Sequence, residues 1–198
     1  KHLGLAIAVI GEKEGIIDIK TGKEVIPCIY DDIIRNYRYP NLIEAKINGK
    51  YGVIDYKGNI IVPFEYEDVT LYNREDLESD IFATKRIGEK KNITIFDIHG
   101  KKRISGIEDY KISWYNYTLQ NFYVIKRNGK WEIVDIKTLD TILIVDRMLS
   151  DSYHSYDVEH HFLTPYNNNN LRAIFDINKR KYITEFSYTD IDFSKDGK

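Results

Sequence analysis

The stretch Asn48-Gly49-Lys50-Tyr51-Gly52-Val53-Ile54-Asp55 decides the fold. Its Asn-Gly pair stands between two apolar runs, the strongest short-range signal for a β-hairpin. Its last four residues recur along the chain. Gly15-Ile16-Ile17-Asp18 repeats them closely, and Thr94-Ile95-Phe96-Asp97, Glu132-Ile133-Val134-Asp135 and Ala173-Ile174-Phe175-Asp176 repeat them more loosely. The closing aspartates 18, 55, 97, 135 and 176 are separated by 37, 42, 38 and 41 positions. Five units of about forty residues therefore fill most of the chain, and a period of that size marks a repeat architecture.

Other features keep phase with these aspartates. Upstream lies a turn, Asn48-Gly49-Lys50 or Asn128-Gly129-Lys130, with Gly11-Glu12-Lys13 and Gly88-Glu89-Lys90 as rougher forms. Before each turn comes an apolar segment: Ala6–Ile10, Leu42–Ile47, Ile81–Lys85, Phe122–Lys126 and Phe162–Pro165. Downstream, Gly22 and Gly58 mark a second turn, followed by Val25-Ile26-Pro27 and Ile60-Ile61-Val62-Pro63. A last segment reads Tyr30-Asp31-Asp32-Ile33, Tyr66-Glu67-Asp68-Val69, Ile107-Glu108-Asp109-Tyr110 and Tyr188-Thr189-Asp190-Ile191, with a worn counterpart at Val145-Asp146-Arg147-Met148. Each unit thus offers four short strands, a to d in chain order, and the size of one propeller blade. The b strands are apolar almost throughout, which implies burial on both faces. The expected fold is an all-β repeat protein, a five-bladed β-propeller with four-stranded antiparallel blades. An open stack of β-meander repeats is the alternative. The expected units are 3–36, 37–73, 74–113, 114–153 and 154–198, forming one domain over 1–198. The final Lys195–Lys198 begins a sixth unit or is a tail.

Composition agrees. The 198 residues include 31 isoleucines against 11 leucines and 5 alanines, a bias toward residues that suit a pleated surface. An apolar share of 42% supports a core. A net charge of −2 gives no electrostatic footprint for nucleic acid or an anionic membrane. Cys28 is the one cysteine, which excludes an internal disulfide and a cysteine-based zinc site. No apolar run approaches the roughly 18 residues of a membrane span, and Leu3–Ile10 lacks the flanks of a signal peptide. The chain opens on Lys1, so a processed form or a segment of a longer polypeptide is expected.

Asn48–Asp55, followed by Gly58-Asn59-Ile60-Ile61-Val62-Pro63-Phe64-Glu65-Tyr66-Glu67-Asp68-Val69, resembles the WG (KWG) repeat of bacterial proteins, with Tyr51 in the place of Trp. The first unit is similar from Gly15 to Ile33 with Glu14 in the Trp position, and the fourth keeps Gly129-Lys130-Trp131 with Glu132 for Gly. The third and fifth agree in spacing and hydrophobicity. The resemblance implies a β-propeller-like repeat serving interaction or sensing, with no catalytic residue set to carry over.

The repeated positions read as structural. An Asp that closes a strand before a turn accepts backbone N–H groups as an Asx turn; a ring of carboxylates around a hard cation is the alternative. Paired acids such as Asp31-Asp32 are expected to serve turns, and Tyr51 and Trp131 to pack between units. The d–a segments differ: they vary in length and collect aromatics and arginines. Arg35, Tyr37, Arg38, Tyr39, Tyr72, Arg74, Trp114, Tyr115, Tyr117, Tyr153 and Tyr156 are the candidate binding residues. Aromatic faces give contact area, and arginines give fork-shaped donors. Shielding of strand edges is the competing reading of these tyrosines.

Asp151, His154, Asp157, Glu159, His160 and His161 carry metal-ligating groups, but their spacing fits no standard site. Glycine-rich phosphate loops and hydrolase motifs are missing from the sequence. The expectation is a non-catalytic module that recognises a protein, peptide or glycan, with no cofactor, no nucleic acid and no membrane insertion. A metal-assisted hydrolase centred on His154–His161 and an architectural spacer, with further domains of a longer chain as its neighbours, are the alternatives. The bacterial cytoplasm is favoured over the periplasm or cell surface.

Overall fold

The computed structural model of the chain describes residues 4–35, 41–74, 77–111, 121–147, 156–157 and 162–191. Among them are nineteen strands, and no helix is long and apolar enough to cross a membrane. All strand neighbours pair antiparallel in five sheets. Sheet one is β1 (Leu5–Ile10), β2 (Lys13–Asp18) and β3 (Glu24–Tyr30). Sheet two is β4 (Asp32–Arg35), β5 (Leu42–Ile47), β6 (Lys50–Asp55) and β7 (Ile60–Tyr66). Sheet three is β8 (Asp68–Arg74), β9 (Leu77–Ile87), β10 (Lys90–Asp97) and β11 (Lys102–Ile107). Sheet four is β12 (Asp109–Lys111), β13 (Phe122–Arg127), β14 (Lys130–Asp135) and β15 (Thr141–Val145). Sheet five is β16 (Tyr156–Asp157), β17 (Phe162–Leu163), β18 (Phe175–Asp176) and β19 (Lys181–Tyr182).

The five phased repeats are therefore five sheets, but the expected boundaries shift by one strand. The first three d strands each open the next sheet, so sheets two to four run d–a–b–c; in sheet five Tyr156–Asp157 holds the edge beside β17, and Arg147 of the worn fourth d segment bridges Tyr166. The cause is the c–d link. It is one residue in three cases, Asp31, Glu67 and Glu108, too short for the two-residue turn that would fold d back onto c. Asp31 N–H donates to Lys46 O at 2.8 Å while Asp32 is registered opposite Lys46. Two residues thus face one, a β-bulge that hands the chain to the next sheet.

The a–b turns follow local chemistry. Asn48 and Gly49 have φ of 51° and 76°, and Asn128 and Gly129 have 51° and 74°, the doubly left-handed turn that Asn-Gly favours. The third b–c link also needs glycine. Gly100 has φ of 84°, and a Cβ there would stand 2.2 Å from Ile61 O.

Two compact units are separable, Lys1–Gly106 and Ile107–Lys198. In the first, sheet two is buried on both faces. Ile33, Ile43, Ala45 and Ile54 pack with Ile16, Ile26 and Tyr30 of sheet one. Leu42, Val53, Val62 and Tyr66 pack with Val69, Leu71, Ile81, Ala83 and Phe96 on the sheet-three side. Neighbouring strand residues point to opposite faces, so Val53-Ile54 serves two cores, as the unbroken apolar run implied. Each fully buried Val or Ile contributes about 1.5–3 kcal/mol. In the second unit, Val124, Ile133, Leu143 and Val145 pack with Leu163, Phe175 and Ile177.

Candidate recognition surface

The repeated polar positions are occupied by turn chemistry. Asp18 Oδ1 accepts the N–H groups of Lys20 and Thr21, both at 2.9 Å. Asp55 Oδ1 accepts those of Lys57 and Asn59, at 2.8 and 2.9 Å. Asp97 takes His99 and Lys101, Asp135 takes Lys137 and Thr138, and Asp176 takes Lys179. The N–H of Thr21, then that of Lys20, holds the Asp18 carboxyl below its ordinary range, and the N–H of Lys179 does the same for Asp176. Burial pushes the Asp55 carboxyl up, but bonds from Asn59 and Lys57 outweigh it and leave it lowered.

The acidic c–d residues close the a–b turns, as expected of Asp31. Its carboxylate pairs with Lys13 of sheet one and accepts Gly49 N–H of sheet two at 3.0 Å. The Lys13 bond first, then the Gly49 bond, lowers its pKa. Glu108 accepts Gly129 N–H at 3.1 Å in the same way, and Lys130 pairs with Asp146. Tyr51 and Trp131 pack against the inter-sheet cores, with Lys46 and Lys111 ammoniums 5.0 and 5.8 Å from their ring centres. Glu14, in the Trp position of the first unit, accepts Ile33 N–H from sheet two at 2.8 Å. The tip Asn167–Asn170 is tied: Asn167 Oδ1 accepts Asn169 and Leu171 N–H at 2.9 and 3.0 Å.

The glycine three positions before Asp18 and before Asp55 has a steric cause. A Cβ on Gly15 would lie 2.6 Å from Ile26 O, and one on Gly52 2.7 Å from Val62 O. Both face the irregular register of the Pro-bearing c strand, where Glu14 and Ile16 oppose Tyr30 and Ile26, and Tyr51 and Val53 oppose Tyr66 and Val62. In sheet four Trp131, Glu132 and Ile133 pair evenly with Val145, Ile144 and Leu143. Without the bulge there is room for Glu132. It is buried, paired with Arg127, and accepts Thr141 Oγ1–H at 3.1 Å.

Two carboxyls stand out that the sequence reading did not single out. Leu5, Leu42, Phe122 and Phe162 are registered opposite the closing aspartates 18, 55, 135 and 176, but Asp80 is opposite Asp97. Asp80 is fully buried, 3.2 Å from Arg103 Nη1. That misplaced acid was visible in the sequence once the aspartates had been used as a ruler. Glu44 on β5 has its pKa pushed up to about 7, by burial first and then by Asp68, against a bond from Leu71 N–H.

Within sheets two to four the antiparallel order puts the d–a connection and the b–c turn at one end, and the a–b turn at the other. The candidate residues divide accordingly. Arg35 donates from Nη1 to Leu5 O at 3.1 Å, so part of its guanidinium ties β4 to sheet one. Tyr72 departs from the exposed-loop expectation. It belongs to β8, is 7% exposed, and meets Phe82 edge-on at 6.2 Å between ring centres. Its strand continues past the acidic segment for longer than the sequence suggested, carrying the ring into the sheet. Arg74 and Tyr156 are placed as backbone in β8 and β16. Tyr37, Arg38, Tyr39, Trp114, Tyr115, Tyr117 and Tyr153 lie outside the described residues, as do Asp151, His154, Glu159, His160 and His161. Cys28 is half-buried with its thiol 3.6 Å from Ala8 O.

The family described as WG containing repeat matches residues 15–51 and 51–77, the two units with the bulged c strand and its crowded glycine. No curated protein matches in sequence. Among solved structures, a eukaryotic initiation factor is 13% identical with a TM-score of 0.47, covering 98% of this chain and 54% of its own. A dihydro-heme d1 dehydrogenase, NirN, is 9% identical with a TM-score of 0.39, over 90% of this chain and 43% of its own. A KlHsv2 variant with a replaced loop is 13% identical with a TM-score of 0.37, over 88% and 59%. The chain thus spans about half the length of these structures.

Proposed function

We propose that this WG-repeat chain is a non-catalytic recognition module that holds a protein, peptide or glycan on the d–a end of its sheets. One observation carries the reading. The a–b turns of sheets one to four are all two residues long, at 11–12, 48–49, 88–89 and 128–129, whereas the d–a connections run from 75–76 to 112–121. Length variation on a fixed scaffold marks the surface free to specialise. The longest connection brings Trp114, Tyr115 and Tyr117, rigid amphipathic groups suited to an interface.

The test uses the double variant Trp114→Ala/Tyr117→Ala. A partner captured by the immobilised wild-type chain is expected to be lost from the variant while its melting temperature stays unchanged. Equal capture by both proteins overturns the assignment of this face.

A further inference from the structure

Among the described residues sheet one has three strands. Sheets two to five each carry a strand on the outer edge of their a strand, a d strand in sheets two to four, but β1 has no partner on that side among the described residues. The turn Gly11-Glu12 closes on the pair Ile10–Lys13. In that register Ile10, Ala8 and Ala6 bond to β2, and Leu5, Ile7 and Val9 turn their backbone groups outward. Leu5 O accepts from Arg35. Ile7 and Val9 are 39% and 61% exposed, whereas Glu44 and Lys46, in the same phase of β5, are half-buried beside β4. An open edge of this kind is a template for another strand.

The other sheets show what such an edge takes. Asp31, Glu67 and Glu108 donate N–H to Lys46, Thr84 and Lys126 O at 2.8, 2.8 and 2.7 Å, and Asp31 and Glu108 cap the adjoining turn. The groups in the same phase of sheet one are Val9 O and Glu12 N–H. Where Lys46 and Lys126 oppose Asp32 and Asp109, β1 has Val9, whose cross-strand partner is best apolar.

We propose that the outer edge of β1 accepts an extended peptide, one acidic residue followed by three β-branched or aromatic residues, as a fourth strand. Main-chain bonds supply affinity and the acid fixes register against the turn, a recognition mode known as strand addition. This edge shares no residue with the d–a connections.

The probe is a fluorescein-labelled peptide Tyr-Asp-Val-Ile-Ile-Arg, the sequence of residues 30–35 with valine for Asp32, titrated into the full chain by anisotropy. Saturable binding is expected. It should weaken about tenfold, the loss of roughly one net ladder bond, when proline replaces the peptide's second isoleucine. Ile7→Pro should act alike, because the lost N–H faces outward, where an edge strand tolerates proline. Val9→Asp, which leaves the backbone intact and sets a like charge against the peptide's acid, is the second variant should Ile7→Pro fail to fold, and it should weaken binding as well. Trp114→Ala/Tyr117→Ala should bind the peptide as wild type does, which keeps this result apart from that of the d–a face. Absence of saturable binding, or equal affinity for the proline peptide, overturns the proposal. So does a dimer in sedimentation velocity that Val9→Asp abolishes, since a second copy would then own the edge.

Discussion

Gly52 and Glu132 occupy the same place in their units, and the contrast between them is set by the neighbouring strand. Against the bulged β7, a Cβ at residue 52 would sit 2.7 Å from Val62 O and 2.9 Å from Phe64 Cδ1. Gly52→Ala should therefore cost about 1–3 kcal/mol as an overpacked site, read as a lower urea midpoint at unchanged slope. A cost below about 0.5 kcal/mol would mean that β7 yields without strain. Asp80 is the second place where one residue departs from its phase. Arg103→Met withdraws a cation from a fully buried carboxylate and should cost about 3–5 kcal/mol. Asp80→Leu/Arg103→Met should recover most of that loss, because leucine is what sheets one and two carry at this position. If urea denaturation finds the double variant no more stable than the single one, the pair is needed for more than charge balance.

The strands were legible in the sequence because strand period and turn chemistry are local. Asn48-Gly49, Asn128-Gly129 and the five closing aspartates place b strands without reference to anything distant. The membership of the d strands was not legible in the same way. Tyr30-Asp31-Asp32 reads as well for a strand ending its own sheet as for one opening the next, and only the bond from Asp31 N–H to Lys46 O decides it. Burial first, and then the charge of Asp68, which this change of partner places in sheet three, raise the Glu44 pKa from 4.5 to about 7. Between those values the folded chain keeps a proton that the unfolded chain has released. The associated stability is complete below about pH 4.5 and is lost as pH rises through 7. Glu44→Gln should flatten that slope and melt higher than wild type at pH 8, by thermal unfolding across pH 4.5–8. Parallel curves for the two proteins would show that Asp68 and burial do not act on Glu44 as its position implies.

At the scale of the molecule, the sequence carried the number of sheets and the chemistry of their turns, but only part of the candidate surface. Tyr72, chosen for its place between an acidic segment and a variable link, is core because β8 runs to Arg74. Arg35, chosen as a free donor, spends one bond on Leu5 O. Neither outcome could be read from residue type, since both depend on which strand lies alongside. Nearest-neighbour packing has a consequence for folding. In a repeat array stability is a sum of each unit and its interfaces, and residues 1–108 hold three sheets joined by two complete inter-sheet cores. The fragment 1–108, which keeps β11 whole, should therefore show β-sheet circular dichroism and one cooperative urea transition without the remaining chain. Ile54→Ala and Val53→Ala face opposite cores, so each should lower its midpoint, by about 2–5 kcal/mol for the isoleucine and less for the smaller valine. A broad, non-cooperative transition in the unmutated fragment would mean that two interfaces do not suffice. The whole chain would then be the smallest folding unit.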